Sequence, residues 1–236
     1  MCTLTYLPLG KGWLLTSNRD ESPLRPTLPP SKHQLSPGTN LVYPQDSVAG
    51  GTWIAMAENG NAACLLNGAF VRHERKLPYR LSRGVVFLDF FKQVSVHSFY
   101  ENYPLDNIEP FTLIAIQNGK IYELRWDGID RHLKTIDETQ PHLWASSTLY
   151  TQEYIEKRNH WFQDWLNAHP AYSQQQIVDF HQQGGEGDKY NDMLMNRMNV
   201  VRTISITSIE SKGGNYSMYY LDLLTQKSVL VDFNHF

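Results

Sequence analysis

The feature that most constrains this chain is a series of short reversals at Gly and Asn-Gly positions. Each lies between apolar-rich runs, and such turns tie neighbouring segments into antiparallel pairs and fix which residues face one another. In the first, Cys2–Leu7 is followed by Trp13–Arg19 around Leu9-Gly10-Lys11-Gly12. A two-residue Gly10-Lys11 loop pairs Leu9 with Gly12 and, counting outward, sets Cys2 opposite Arg19 on the same face. The second joins Thr52–Ala57 to Ala62–Asn67 around Glu58-Asn59-Gly60-Asn61 and sets Thr52 opposite Asn67. Cys64, three residues from Asn67, then faces the other way. The third pairs Phe111–Gln117 with Lys120–Trp126 around Asn118-Gly119.

Further strands are expected at His132–Ile136, Leu143–Ser146, Val201–Ile209, Tyr216–Leu221 and Ser228–Phe233. Helices are expected at Arg83–Gln93, Gln152–Ala168 and Gln174–Gln182. The middle helix carries Ile155, Trp161, Phe162, Trp165 and Leu166 as an apolar stripe, which reads as core. The last begins with Ser173 three residues before Gln176, the capping-box pattern. The Pro-rich stretches Ser22–Pro30 and Lys32–Pro44 read as surface loops, as does Gly184–Asp188. No internal repeat or composition shift marks a linker, so one domain over 1–236 is the simplest account.

Composition narrows the function classes. With 41% hydrophobic residues, the chain can bury a sizeable core. Lys+Arg 21 against Asp+Glu 24 gives a net charge of −3, too balanced for a nucleic-acid binder and without strong pull toward any charged partner. No apolar run is long enough for a membrane span, and the start lacks the pattern of a secretory signal, so a cytoplasmic setting is expected. Two cysteines make no disulfide scaffold. The nine histidines show no zinc-like spacing, and neither a phosphate-binding loop nor a serine nucleophile elbow occurs, so no metal or cofactor is expected. Nothing in the sequence specifies an oligomeric state.

Cys2 is the most informative residue. Removal of Met1 would leave a thiol and an α-amine on one residue, and a free α-amine titrates near 7.7–8.0, close enough to neutrality to take the thiol proton. A guanidinium at Arg19 would stabilise the thiolate. Asp20 could orient the new ammonium or hold Arg19. Gly50-Gly51 ahead of Thr52-Trp53 allows close backbone approach by a ligand or another segment. Asn67 could point its carboxamide at a developing oxyanion. Arg202 opens a strand whose following face residues, Ile204 and Ile206, are apolar, and so places a cation at the mouth of a buried face.

Cys2, Asn18-Arg19-Asp20-Glu21 and Gly50-Gly51-Thr52-Trp53 together resemble the NRDE family, also called the transport and Golgi organisation protein 2 family. Its members are similar to N-terminal nucleophile (Ntn) hydrolases such as penicillin V acylases and bile salt hydrolases. The resemblance implies an α+β fold, a four-layer αββα sandwich of two mainly antiparallel sheets. It implies Cys2 as nucleophile with its amine as base, Arg19 and Asp20 beside it, Asn67 in the oxyanion hole and Arg202 near the thiol. Gly51, Thr52, Trp53 and Ser147 would contact substrate. One departure stands out: the family tends to read Leu-Ser-Asn where this chain has Ala145-Ser146-Ser147, which weakens a supporting polar contact if Ser147 stands at the Asn position. The expected activity is hydrolysis of a non-peptide amide bond in a small molecule. The alternative is a non-catalytic carrier of an apolar or amphipathic ligand on the same fold.

Overall fold

The computed structural model describes residues 2–233, with Cys2 described by its backbone alone. The N-terminal hairpin follows from its turn: β1 (Cys2–Leu9) runs antiparallel to β2 (Gly12–Glu21), with Leu9 opposite Gly12 and Cys2 opposite Arg19. Next come β3 (Thr27–Ser36), β4 (Thr39–Asp46), β5 (Ile54–Ala57) and β6 (Ala62–Asn67), then helices α1 (Arg83–Phe90) and α2 (Val96–Asn102). The meander β7 (Phe111–Gln117), β8 (Lys120–Trp126) and β9 (Arg131–Ile136) follows. Asn118 and Gly119, at φ 52° and 76°, form the tight turn between β7 and β8 that only such residues adopt easily. The chain then forms β10 (His142–Ala145), α3 (Gln152–Ala168), α4 (Gln174–Gln183), the short β11 (Asn196–Arg197), β12 (Val201–Lys212), β13 (Asn215–Asp222) and β14 (Lys227–Asp232).

Two antiparallel sheets result. One has the order β10-β1-β2-β12-β13-β14, with β11 beside β12; the other runs β3-β4-β5-β6-β7-β8-β9. Period-two alternation gives each sheet two apolar faces. Leu4, Trp13, Leu15 and Ile209 meet Ile54, Met56, Cys64 and Ile114 between the sheets. The opposite faces carry Leu7 and Leu14 against Phe162, Ile177 and Phe180 of α3 and α4, and Leu65, Leu113 and Leu124 against Val86, Phe87 and Phe99 of α1 and α2. The fold is therefore α+β with four layers in the order αββα, as the resemblance implied. Among the described residues no helix is long and apolar enough to cross a membrane.

Three expectations need correction. Most of the stretches read as Pro-rich loops are the strands β3 and β4. Here β3 is an edge strand, and Pro29 and Pro30 sit at the pairing irregularity between Leu28 and Ser31, where no ladder hydrogen bond is demanded of them. The second hairpin is one residue out of the expected register. Gly60, at φ 84°, closes a three-residue loop, Ile54 pairs with Cys64, and the Trp53 carbonyl accepts from Leu65 N–H at 2.7 Å, so Thr52 does not lie opposite Asn67. Finally, the first helix stops at Phe90, and a separate α2 starts at Val96, capped by Ser95, whose hydroxyl accepts from Ser98 N–H.

The sheets are also tied by a buried polar contact. Glu123 on β8 is 4% exposed; it accepts from Trp144 Nε1 on β10 at 2.6 Å and pairs with Arg125 at 2.9 Å and Lys134 at 3.0 Å. Burial pushes its carboxyl up, but the two cations outweigh that and hold it below the usual glutamate range. Its stabilising contribution is then complete above the unfolded-state value of about 4.3 and is lost as pH falls toward the depressed folded value. Glu123→Gln is expected to lower stability at pH 7 by about 1–3 kcal/mol in urea titrations and to flatten the acid limb below about pH 4.5.

Candidate active site

The Asn18–Glu21 string is strand, not turn, and its alternation divides four polar residues between two faces. Arg19 and Glu21 face a cavity of about 500 Å³, while Asn18 and Asp20 face the helices. Arg19 is almost wholly buried, and its guanidinium is fixed on every side. It donates to Asp46 Oδ2 at 2.5 Å, to Thr27 Oγ1 at 2.6 Å and to the Arg25 carbonyl at 2.9 Å, and its charge lies 4.6 Å from the Trp53 ring. Asp46 closes the arrangement: its Oδ2 also accepts from Arg25 at 2.6 Å, and its Oδ1 accepts from the Val48 and Ala49 N–H groups. Asp46, not Asp20, holds Arg19.

Asp20 is fully buried on the helix side, one oxygen accepting from Tyr150 Oη and the other from Thr203 Oγ1, each at 2.7 Å. Burial pushes its carboxyl up; the nearby Arg158 charge and the two hydroxyls oppose that. Arg158 on α3 stacks over the Tyr150 ring at 3.8 Å and donates to Thr3 Oγ1 and to the Asn191 and Asp192 carbonyls. The tyrosine thus stands between a buried guanidinium and a buried carboxylate. Next to them, Asn18 Nδ2 donates to the His181 and Met193 carbonyls, so its Oδ1 is an acceptor and His181 Nδ1–H must be the donor at 2.7 Å. His181 Nε2 then accepts from the Thr5 hydroxyl at 2.8 Å.

The other expected residues divide. Gly51, Thr52, Trp53 and Asn67 line the same cavity as Arg19. The close approach at Gly51 is to another segment: a Cβ there would lie 3.0 Å from Gly84 Cα on α1. Thr52 is buried, its hydroxyl bonded to the Pro44 carbonyl at 2.6 Å. The Trp53 indole N–H is buried without a partner among the described residues, and the Asn67 carboxamide likewise has none. The Asn67 carbonyl is held by the Ser146 hydroxyl at 2.7 Å. Ser147 lies outside the cavity wall, its Oγ 3.5 Å from the Val71 carbonyl, so the neighbouring Ser146 makes the supporting contact. Arg202 lies opposite Glu21 but does not line the cavity, and its Nε is buried without a partner among the described residues. A bulge between Thr203 and Ser205 reverses the alternation after it, so Ile206 pairs with Asn18 and packs on Val178 of α4 instead of sharing the Arg202 face. The thiol expected as nucleophile lies outside the described atoms, as does Met1; the backbone of Cys2 is in register with Arg19.

Several site residues were missed from sequence. Glu109 is buried in the cavity wall and pairs with Arg75 and Arg83, each at 3.2 Å. Burial pulls Arg83 down to about 10, with Glu109 opposing, so it stays charged at neutral pH. These side chains meet only through tertiary folding and leave no local signal, as is also true of Asp46, Tyr150 and His181. Arg158 had one, a lone cation inside the apolar stripe of α3. Among the described residues no group of three or more His, Cys, Asp or Glu is arranged to hold a metal ion.

Burial, with the Arg158 charge beside it, lowers His181 to about 3. A histidine lowered in the folded state contributes stability that is complete above the unfolded value of about 6.5 and declines as pH falls toward the folded one, at about 1.4 kcal/mol per pH unit. In NMR spectra, His181 should appear as the neutral Nδ1–H tautomer with no titration between pH 7 and about pH 4.5. A midpoint near 6.5 would contradict the arrangement.

This geometry can be set beside known proteins. A mutant of the conjugated bile acid hydrolase from Clostridium perfringens superposes with a TM-score of 0.61 at 12% identity, covering 99% of this chain and 93% of that one. The Caenorhabditis elegans orthologue of N-acylethanolamine-hydrolyzing acid amidase does so at 0.61 and 10% identity, covering 88% and 92%. Both likenesses show the shared Ntn-hydrolase fold. No curated protein matches the chain. The profile of the transport and Golgi organisation 2 family, however, matches residues 1–220, and the chain belongs to that family.

Proposed function

We propose that the protein is an N-terminal-cysteine hydrolase of small-molecule amides, built as one domain. The observation that carries this reading is the register of the first hairpin: Cys2 stands opposite Arg19, and Arg19 is a buried cation, held by Asp46, Thr27 and the Arg25 carbonyl, in the wall of a cavity of about 500 Å³. A cavity of that size suits a small ligand. Two solved structures of similar fold are named a conjugated bile acid hydrolase and an orthologue of N-acylethanolamine-hydrolyzing acid amidase. A cytoplasmic setting, which keeps thiols reduced, suits a cysteine nucleophile.

The chemistry proceeds in two halves. The Cys2 amine takes the thiol proton as sulfur attacks the amide carbonyl, forming a C–S bond and an oxyanion. The carboxamide of Asn67, which lines the cavity and makes no side-chain hydrogen bond among the described residues, would be the side-chain donor for that oxyanion. Collapse breaks the C–N bond, and the ammonium returns its proton to the leaving nitrogen. Water then attacks the thioester, giving its proton to the same amine, and the acid leaves as the thiol re-forms. Arg19 contributes positive potential tempered by Asp46, and Asp20, held by Tyr150 and Thr203, would orient the amine. Arg202, outside the cavity wall, would act only through Glu21, its neighbour across the sheet.

A second reading has its own observation. Ser147, expected to contact substrate, does not line the cavity, so the cavity lacks that polar contact, as a carrier of an amphipathic ligand would. A panel of N-acyl amides separates the two. The hydrolase releases free amine at a rate abolished in Cys2→Ala and reduced about a hundredfold in kcat in Asn67→Ala. Retention of an acyl amide without turnover, unchanged in Cys2→Ala, would replace hydrolysis with carriage.

A further inference from the structure

The whole-chain charge conceals a local imbalance at the mouth of the cavity. From Val71 to Leu81 the chain carries Arg72, Arg75, Lys76 and Arg80 against Glu74 alone, a local charge of +3 within a total of −3. Arg75 is paired with Glu109 in the cavity wall, and Arg80 donates to backbone carbonyls. Arg72 and Lys76 make no ion pair among the described residues. The same segment exposes Val71 and Leu77, at 74% and 69%. Two other segments that wall the cavity do likewise: Leu24, beside the lining residue Arg25, is 86% exposed, and Val48, beside Ala49, is 67% exposed. Hydrogen bonds from Ser47 to the Pro26 carbonyl hold these two segments together.

Large aliphatic side chains left in water on three separate segments that wall one cavity, interleaved with cations that make no ion pair among the described residues, form an amphipathic collar. We propose that this collar docks the cavity mouth on an anionic lipid bilayer, with Leu24, Val48 and Leu77 entering the headgroup region and Arg72 and Lys76 meeting lipid phosphates. Membrane-surface elements combine these two contributions, apolar insertion and attraction to anionic lipid. A second copy of the chain fits less well, because a two-fold interface would set one +3 collar against another. Nucleic acid fits less well because the most exposed apolar side chains, Leu24, Val48, Val71 and Leu77, are aliphatic and stack on no base. Docked in this way, the cavity opens toward the lipid, and an amphipathic ligand would enter it without crossing water. The proposal is independent of the chemistry assigned to Cys2.

The test is co-sedimentation of the full chain with vesicles of phosphatidylcholine alone and of phosphatidylcholine with phosphatidylglycerol. Binding is expected only to the anionic vesicles, weakening as salt is added. Each basic residue near an anionic surface is worth about a fivefold change in partitioning, so Arg72→Glu with Lys76→Glu should weaken binding at least about thirtyfold. Leu24→Ser with Leu77→Ser should weaken it independently, and Lys11→Glu, in the exposed turn at the far end of β1 and β2 from the Cys2–Arg19 pair, should not. These positions are exposed, so melting curves should match the parent protein and separate lost binding from lost folding. Equal binding to both vesicle types, no binding to either, or binding indifferent to the collar substitutions would overturn the proposal. A concentration-dependent dimer dissolved by the same substitutions would assign the collar to a second copy.

Discussion

The candidate site depends on one buried ion pair between the two sheets. Arg19 on β2 and Asp46 at the end of β4 belong to different sheets, and their contact at 2.5 Å spans the gap where the inter-sheet core gives way to the cavity. Removing one partner of such a pair commonly costs about 3–5 kcal/mol, because the other charge stays buried and alone. That is a large share of the roughly 5–15 kcal/mol by which domains are stable. Asp46 further anchors Arg25 and caps the turn through Val48 and Ala49, so a single carboxylate sets the cavity wall, the guanidinium beneath it and a loop at its rim.

Period-two alternation makes the Asn-Arg-Asp-Glu string serve two layers at once. Arg19 and Glu21 face the cavity; Asn18 and Asp20 reach into the helical layer, where His181, Tyr150 and Arg158 meet them. A change at α3 or α4 is therefore felt on the strand that carries Arg19. Asp20 depends on this coupling: its two hydroxyl partners come from the segment ahead of α3 and from β12, so three elements must be in place before the carboxylate is positioned.

Much of this was legible in the sequence where local rules decide the outcome. Gly10-Lys11 and Asn118-Gly119 are two-residue turns, and the pairings of Cys2 with Arg19 and of Asn118's flanking strands followed from counting. Counting failed at Gly60, where a positive-φ glycine adds a residue to the loop and shifts the register by one. It failed also at β12, where the bulge after Thr203 reverses the faces. Neither event changes composition or hydrophobic pattern. The prolines of β3 misled because proline argues against a central strand, whereas this strand lies at an edge. Of the candidate site, Arg19, Asn67, Gly51, Thr52 and Trp53 converged on one cavity. Ser147 and Arg202 did not, and the partners that orient the rest, Asp46 and Tyr150 above all, become neighbours only through the packing of the two sheets and the helices.

Hydrolysis at this site requires Cys2 to present a free amine and a reactive thiol beside Arg19. Intact mass of the purified protein, taken before and after brief iodoacetamide treatment at neutral pH, reads both properties at once. The expected result is a chain lighter by one methionine that takes up one alkyl group rapidly at Cys2, the buried Cys64 reacting far more slowly. A chain that retains Met1 and alkylates slowly at Cys2 would contradict it.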